Sequence, residues 1–416
     1  MTGSRASRQL RLRVGQLVLD PRLPPIHDGA LLIDGDRIMA AGQECAVPQP
    51  SGVEELLFPD CTALPGLIDS HVHLTLNAGT DSLAVLATED DDALLERGLA
   101  NARRTAAAGI TTVLDLGARG NVAFEIARQA VRGASAASRV LVAGSPITPH
   151  RGHTCFFGGE ADGAAAVRAA VRDRVERGAD MIKVIATGGS MTAGTDPLSP
   201  SYPVDILAAA AEEAHRLGRR VTAHAHGTAG IRAAVAAGFD AVEHSTMLGA
   251  GGDWRFDAVL AREMTARGVR VIPTAAAGRR YELTGASWEA ALPNKATGSD
   301  TRTRNAGRLF ESGVSVVAGT DAGVAHTDFG EELFLELEAY VSVGMTPAAA
   351  IATATTSAAA HVGLDSVLGS LTASRAPDVL VVRGDPLSDI TALRRTRLVV
   401  RAGELIDPVP PPGEPP

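Results

Sequence analysis

The sequence predicts an α/β protein, a (β/α)8 TIM-type barrel with a small β-sandwich domain formed by both chain ends. Short apolar segments alternate with Ala-rich helical segments through the middle of the chain, which is typical of parallel strands joined by helices. Short strand-like segments broken by Gly, Asp and Pro occupy both ends. The length of 416 residues suits one barrel and a small accessory domain.

These patterns divide the chain into four segments. We predict the N-terminal part of the β-domain at 1–64, the barrel at 65–365, the C-terminal part of the β-domain at 366–408 and a disordered Pro-rich tail at 409–416. The sequence Asp34-Gly35-Asp36 is typical of a tight turn between hairpin strands. The predicted barrel strands are LPGLIDSHV, TTVLDLG, RVLVAG, MIKVIAT, RVTAHAH, DAVEHS, VRVIPT and VSVVAGTD.

Composition excludes several classes of function. The formal net charge of −9 argues against nucleic-acid binding, which normally needs a basic patch. The chain has no apolar stretch of about 18 residues, so we expect no membrane span. The first residues lack the apolar segment of a signal peptide, and the three cysteines are too few for a disulfide framework. We therefore expect a cytoplasmic protein.

Metal-binding side chains follow the predicted strands. Barrel enzymes work at the C-terminal ends of their strands, where alternate residues face the same side. Imidazole nitrogens suit zinc and similar ions, and a carboxylate completes such a site. A single histidine would more often be structural, but several at successive strand ends predict a metal centre. The strand-end residues are His71 and His73, then His224 and His226, then His244, and finally Asp321.

Lys183 lies in the fourth predicted strand, within the apolar run Met181–Ile185. The 39 basic side chains include only two lysines, so a lysine retained in a buried strand indicates chemistry that arginine cannot perform. An ion-paired lysine is the alternative interpretation. A buried neutral amine can react with carbon dioxide to form a carbamate, whose two oxygens can bridge two metal ions. Lys183 is therefore a candidate for carboxylation.

With these residues the chain resembles the amidohydrolase superfamily over nearly its whole length. The motifs are Gly-Leu-Ile-Asp-Ser-His-Val-His at 66–73, the strand lysine and histidines, and Gly-Thr-Asp-Ala-Gly at 319–323. Gly-Asp-Arg-Ile at 35–38 and Ala-Pro-Asp-Val-Leu-Val-Val at 376–382 resemble the flanking β-domain. GHTCFFGGEADG, ADMIKVIATGG and VTAHAHG resemble a branch that includes Xaa-Pro and N-acyl amino acid peptidases, ochratoxin hydrolases and phenylurea hydrolases.

The resemblance implies two divalent metal ions, with zinc expected first and manganese, cobalt or iron as alternatives. His71, His73 and Asp321 would bind the buried ion, and His224 and His244 would bind the exposed ion. The carboxylated lysine would bridge the two ions. The choice of His224 over the neighbouring His226 is open, because both side chains lie on the same face of one strand.

The implied activity is hydrolysis of an amide bond in a dipeptide or N-acyl amino acid by a metal-bridged hydroxide. Asp321 would accept the proton of the hydroxide and deliver it to the leaving nitrogen. His226 would polarise the substrate carbonyl or bind a carboxylate. We expect a small-molecule amide substrate, no nucleic-acid or membrane partner, and a homo-oligomer.

Other residues are predicted to contact the substrate. His150 and His153 lie in the loop after the third strand, and Tyr202 lies after the fourth, although packing is the alternative for the tyrosine. The Gly-rich loop 187–201 is predicted to fold over the site. Arg279, Arg280 and Tyr281 follow the seventh strand and could clamp a carboxylate, or belong to a solvated loop.

Three alternatives remain open from the sequence. The same centre could hydrolyse lactones, carbamates or ureas. A mononuclear deaminase is less favoured, because deaminases of the superfamily carry a Glu soon after the fifth-strand histidine, whereas His224 is followed by Ala, His, Gly and Thr. A non-catalytic barrel that serves in assembly is disfavoured by the complete ligand set.

Overall fold

A computed structural model describes residues 9–132, 136–277, 279 and 299–407 of the chain. The predicted tail at 409–416 lies outside these residues. Within the described part of the chain, no helix is both long enough and apolar enough to cross a membrane.

Eight parallel strands form the wall of the barrel, and each coincides with one of the predicted apolar segments. Their side chains are almost all buried, because helices cover the outer face and side chains fill the interior. The fold class predicted from the sequence is therefore confirmed. The strands are β5 (Leu67–Val72), β6 (Ile110–Asp115), β7 (Arg139–Val142), β8 (Met181–Ile185), β9 (Arg220–Gly227), β10 (Ala241–Leu248), β11 (Arg270–Ile272) and β12 (Ser315–Val316).

Backbone hydrogen bonds connect the strands in chain order. β5 to β7 form a three-stranded sheet, and β8 to β12 form a five-stranded sheet. At one seam, Ile147 N donates to Lys183 O over 2.9 Å. At the other seam, Ser70 N donates to Ala318 O over 3.0 Å. These bonds place β5 beside the end of β12, so the residues that follow all eight strands face one rim.

Helices of the described residues pack around this wall. The helix α2 shows why: Asp90 accepts a hydrogen bond from Ala93 N and caps its start, and Leu94 lies fully buried on its inner face. Burying such a leucine stabilises the fold by about 2 kcal/mol. The helices are α1 (Ser82–Thr88), α2 (Asp91–Ala107), α3 (Val122–Arg132), α4 (Gly163–Glu176), α5 (Val204–Arg216), α6 (Thr228–Ala236), α7 (Ala258–Arg267), α8 (Ser299–Glu311), α9 (Glu331–Ser342), α10 (Pro347–Thr353) and α11 (Thr356–His361).

The two chain ends form one seven-stranded sheet with the order β15-β14-β13-β4-β1-β2-β3. The predicted hairpin turn is present, since Asp34 pairs with Arg37 and Gly35 has a φ of 57°. Apolar residues from both halves of the sheet belong to one buried cluster. The structure therefore describes a single sheet here where the sequence predicted a sandwich. The strands are β1 (Gln9–Leu17), β2 (Ile26–Asp34), β3 (Arg37–Gln43), β4 (Glu54–Pro65), β13 (Val379–Arg383), β14 (Thr396–Arg401) and β15 (Glu404–Ile406).

Candidate metal centre

Two groups of side chains that could hold a metal ion meet at the C-terminal rim of the barrel. In each group the candidate ligand atoms lie within 4.8 Å of one another. β5 and β9 hold His71, His224 and His226, where strand alternation sets the side-chain direction. Asp321 lies beyond β12 with a φ of 66°, so its direction depends on the loop. The first group is His71, His73 and Asp321, and the second is His224, His226 and His244.

In the first group, hydrogen bonds orient the histidine rings so that their nitrogens could bind an ion. The Nε2 atoms of His71 and His73 lie 3.2 and 3.3 Å from Oδ1 of Asp321. The Nδ1 atom of His71 lies 2.8 Å from Glu243, and that of His73 lies 3.1 Å from the carbonyl oxygen of Gly117. Because these acceptors require the ring proton on Nδ1, both Nε2 lone pairs face the carboxylate.

The second group shows which nitrogen each ring can offer. His224 donates from Nε2 to the carbonyl oxygen of Gly188 over 3.2 Å, so its Nδ1 carries the free lone pair. Nδ1 of His244 lies 2.8 Å from Oγ1 of Thr274, and Nδ1 of His226 lies 2.9 Å from Oγ1 of Thr246. Their Nε2 atoms are then left for a ligand or a substrate. Both His224 and His226 belong to the group, so the choice between them stays a prediction.

Lys183 completes the arrangement. Its Nζ atom is buried and has no hydrogen-bond partner among the described residues. Burial lowers the pKa of the Lys183 ammonium. A charge on Lys183 would also lower the pKa of His71 in the first group and of His224 and His244 in the second, which places the amine near both. An orphaned buried amine beside two ligand groups fits a carbamate that bridges two ions.

Electrostatics favour neutral imidazoles in the second group, whereas in the first group Asp321 raises the pKa of His73 against the opposing effect of burial. Burial lowers the pKa values of His224, His226 and His244, and nearby positive charges lower them further. Burial opposes the charge of Asp321, but His71 and His73, when protonated, lower its pKa below the ordinary value. Neutral rings with free lone pairs and an ionised carboxylate are the states that bind divalent metals.

Buried acids that we did not assign from the sequence support the ligands. Glu243 accepts from His71 and from Thr222 Oγ1 over 2.6 Å. Asp69 accepts from Thr320 Oγ1 over 2.7 Å and fixes the backbone just before Asp321. Burial raises the pKa of Asp69 to about 7. The available signal was an acid inside an apolar strand, as in LIDSHV and AVEHS, because such acids are buried only with partners.

Of the residues predicted to contact the substrate from loops, one lines the cavity and two do not. His153 is buried, lines the cavity above the centre and has its ring centroid 4.5 Å from that of His224. His150 is exposed, and its Nδ1 lies 3.0 Å from Glu160. The buried Tyr202 donates to Ala161 O over 2.7 Å. Neither His150 nor Tyr202 lines the cavity, so the structure does not bring them to the site.

The loop predicted to fold over the site contributes to the cavity. Ser190 and Met191 line it, and Thr192 Oγ1 accepts from Thr154 N over 2.9 Å. Arg302, which we did not identify from the sequence, belongs to the helix α8 and also lines the cavity. Arg279 is half-buried, while Arg280 and Tyr281 lie outside the described residues.

Comparisons with known proteins show which family and which solved structures this chain resembles. The sequence profile of the Amidohydrolase family matches residues 62–406. Ochratoxinase of Aspergillus niger is 30% identical over 415 residues, which covers 90% of this chain and 81% of that protein. A crystal structure of a Xaa-Pro dipeptidase with bound methionine has a TM-score of 0.84 and 27% identity, and covers 95% of this chain and 99% of that chain. Phenylurea hydrolase B, at 20% identity and a TM-score of 0.80 over 98% of each chain, shares the fold.

Proposed function

The chain belongs to the amidohydrolase family and is a hydrolase of carbon–nitrogen bonds, and from this premise we propose that it is a binuclear metal-dependent amidohydrolase. Its substrate would be a dipeptide or an N-acyl amino acid. The observation that carries the proposal is the orphaned Nζ of Lys183 beside two separate ligand groups. A centre for a single ion would need only one of these groups.

His71, His73 and Asp321 would hold one ion, and His224 and His244 would hold the other, with carboxylated Lys183 between them. When bound, two divalent ions lower the pKa of a water ligand and polarise a carbonyl group. His226 would then be free for the substrate. If the Thr246 hydroxyl donates to its Nδ1, the ring proton lies on Nε2, from which it can donate to the carbonyl oxygen.

Asp321 is the residue best placed to move the proton. Its carboxylate faces the first histidine pair and lines the cavity, so it touches both the ligand group and the space for the substrate. Its lowered pKa keeps it ionised and able to accept a proton from water. Returning that proton to the amide nitrogen makes the amine a competent leaving group.

His153 would contact the substrate from the opposite loop. Its Nδ1 is buried without a hydrogen-bond partner among the described residues. Burial lowers the pKa of His153 to about 3, so the ring is neutral at working pH. A neutral imidazole in the cavity wall can donate a hydrogen bond to a substrate without adding charge.

A substrate panel with metal-reconstituted enzyme tests the proposal. The panel contains N-acyl amino acids, dipeptides, ureas, carbamates and lactones. We expect turnover of at least one series of N-acyl amino acids or dipeptides. Turnover confined to ureas, carbamates or lactones would overturn the substrate class. Ammonia release from aminated heterocycles, with one bound metal, would overturn the binuclear assignment.

A further inference from the structure

Arg302 extends from α8 into the cavity beside the second ligand group. The side chain is buried, and its Nη1 donates to Thr274 O over 3.1 Å. The hydroxyl of the same threonine lies 2.8 Å from Nδ1 of His244. The guanidinium is therefore connected to a candidate ligand through one residue, and its charge contributes to the low pKa of His226.

The backbone that holds Arg302 is itself constrained. Thr274 has a φ of 48°, in the left-handed region that a β-branched residue rarely adopts. Glu336 accepts hydrogen bonds from the next two backbone amides, Ala275 N over 2.9 Å and Ala276 N over 2.6 Å. Such strain persists only where surrounding contacts fix it, and it concentrates at functional sites. The position of the guanidinium is thus built into the fold.

The charges of the cavity wall identify the chemistry that Arg302 suits. Among the described lining residues, the cationic side chains are Lys183 and Arg302. The proposed carbamate turns the lysine into an anion, which leaves Arg302 as the wall cation that stays charged at any working pH. Its planar fork matches a carboxylate through two parallel hydrogen bonds.

The two sides of the cavity wall differ in the residues that line them. The segments after β11 and β12 contribute Arg302 and three small apolar residues to the cavity wall, namely Ala277, Val324 and Ala325. Of the apolar lining residues, Pro146 and Met191 follow β7 and β8, and Ile185 is the last residue of β8. In a ring of eight strands, the seventh and eighth lie across from the third and fourth. An anionic end and an apolar end of the substrate would therefore occupy opposite sides.

We propose that Arg302 binds the free carboxylate of the amino acid released by the enzyme, with the acyl group on the apolar side. This inference rests on the proposed function and deepens it by naming the residue that recognises the carboxylate next to the scissile amide. In an Arg-rich chain the residue type alone says little, so the buried position carries the argument.

The test compares matched substrates and variants. The best N-acyl amino acid of the panel is paired with its analogue that lacks the carboxylate. Arg302→Met should lower kcat/KM for the acid by about 10- to 150-fold, as expected for a charged hydrogen-bonded contact, mainly through KM. The same variant should leave the analogue within about threefold. Arg302→Lys should give an intermediate loss, and Arg304→Met, exposed on the same helix, should change neither.

Metal content and unfolding midpoint of each variant show whether it is folded. Calorimetric binding of the free amino acid and of its decarboxylated amine supplies a readout that needs no turnover. Equal losses on both substrates, or equal binding of acid and amine by the wild type, would overturn the role of Arg302. If the panel contains no cleaved N-acyl amino acid or dipeptide, the proposed function fails. Tighter binding of the acid than of the amine, lost in Arg302→Met, would still support the anion site.

Discussion

Glu243 Oε2 accepts a hydrogen bond from Nδ1 of His71 over 2.8 Å, and both side chains are buried in the barrel. Burial opposes the charge of Glu243, but the hydrogen bond from His71 lowers its pKa, as does Lys183 while that amine is protonated. The carboxylate is therefore ionised and fixes the ring proton of His71 on Nδ1, which aims Nε2 at Asp321. Carboxylate–histidine pairs of this kind orient metal ligands.

We therefore expect Glu243→Gln to weaken binding of the first ion by about 10- to 100-fold, the usual cost of losing such a partner. The reason is that an amide can donate to Nδ1 as well as accept from it, so the tautomer of His71 is no longer fixed. Metal titration of the apoenzyme measures the affinity. Glu213→Gln is the control, since Glu213 is also buried but pairs with Arg172 and Arg216 on the outer helices. Equal effects of both substitutions would contradict the positioning role.

Lys183→Ala should lose the ion at His224 and His244 and reduce activity by more than about 100-fold. Loss of a residue that only hydrogen-bonds to a ligand costs about 10- to 100-fold, and loss of a ligand should cost at least as much. Short carboxylic acids should restore part of the activity, because their two oxygens can replace the carbamate. Lys183→Arg should stay inactive, since a guanidinium keeps its proton. Lys295→Ala, which changes the other lysine of the chain, is the control. Near-native activity of Lys183→Arg would rule out the carbamate.

Asp321→Asn should damage amide hydrolysis more than hydrolysis of an activated ester. An amide nitrogen leaves only when protonated, whereas a phenolate leaves unaided. General acid–base catalysis contributes roughly 100- to 10,000-fold, so the two losses should differ by about that factor. The comparison is made at matched metal content, because asparagine also weakens the first ligand group. Equal losses with both ions bound would exclude the proton transfer by Asp321.

Gly189→Ala should raise KM, because a Cβ at this position would overlap with the imidazole ring of His153. The methyl group would displace the imidazole or the loop that carries Ser190 and Met191, both of which line the cavity. A one-ångström misplacement can cost about 100-fold in kcat/KM. Gly42→Ala, whose added methyl meets nothing within 4 Å, is the control. Unchanged kinetics of the Gly189 variant would show that His153 does not contact the substrate.

The sequence predicted the barrel strands and the residues that meet at their ends because two regularities coincide there. Apolar strands are short and alternate in facing, so a polar residue at a strand end must point toward the rim. His71, His73 and Lys183 could be placed on this basis. The role of Glu243 could not be predicted, because its position in the sequence shows only that it precedes His244 and does not show that it contacts His71.

Positions outside strands were predicted less well, since loops and helices do not fix where a side chain points. His150 and His153 are three residues apart in one loop, yet the first is exposed and the second lines the cavity. Arg302 lies on a helix in a chain that has many arginines, and only tertiary packing distinguishes it from the exposed Arg304. Residue type and spacing alone do not predict that packing.

The most direct test of the account is the stoichiometry of metal activation. Apoenzyme is titrated with zinc in the presence of bicarbonate while bound metal and amide hydrolysis are both measured. We predict that activity rises mainly with the second equivalent and levels off at about two ions per chain, as in two-metal hydrolases. Full activity at one ion per chain, with no further binding when metal and bicarbonate are added, would contradict the binuclear centre.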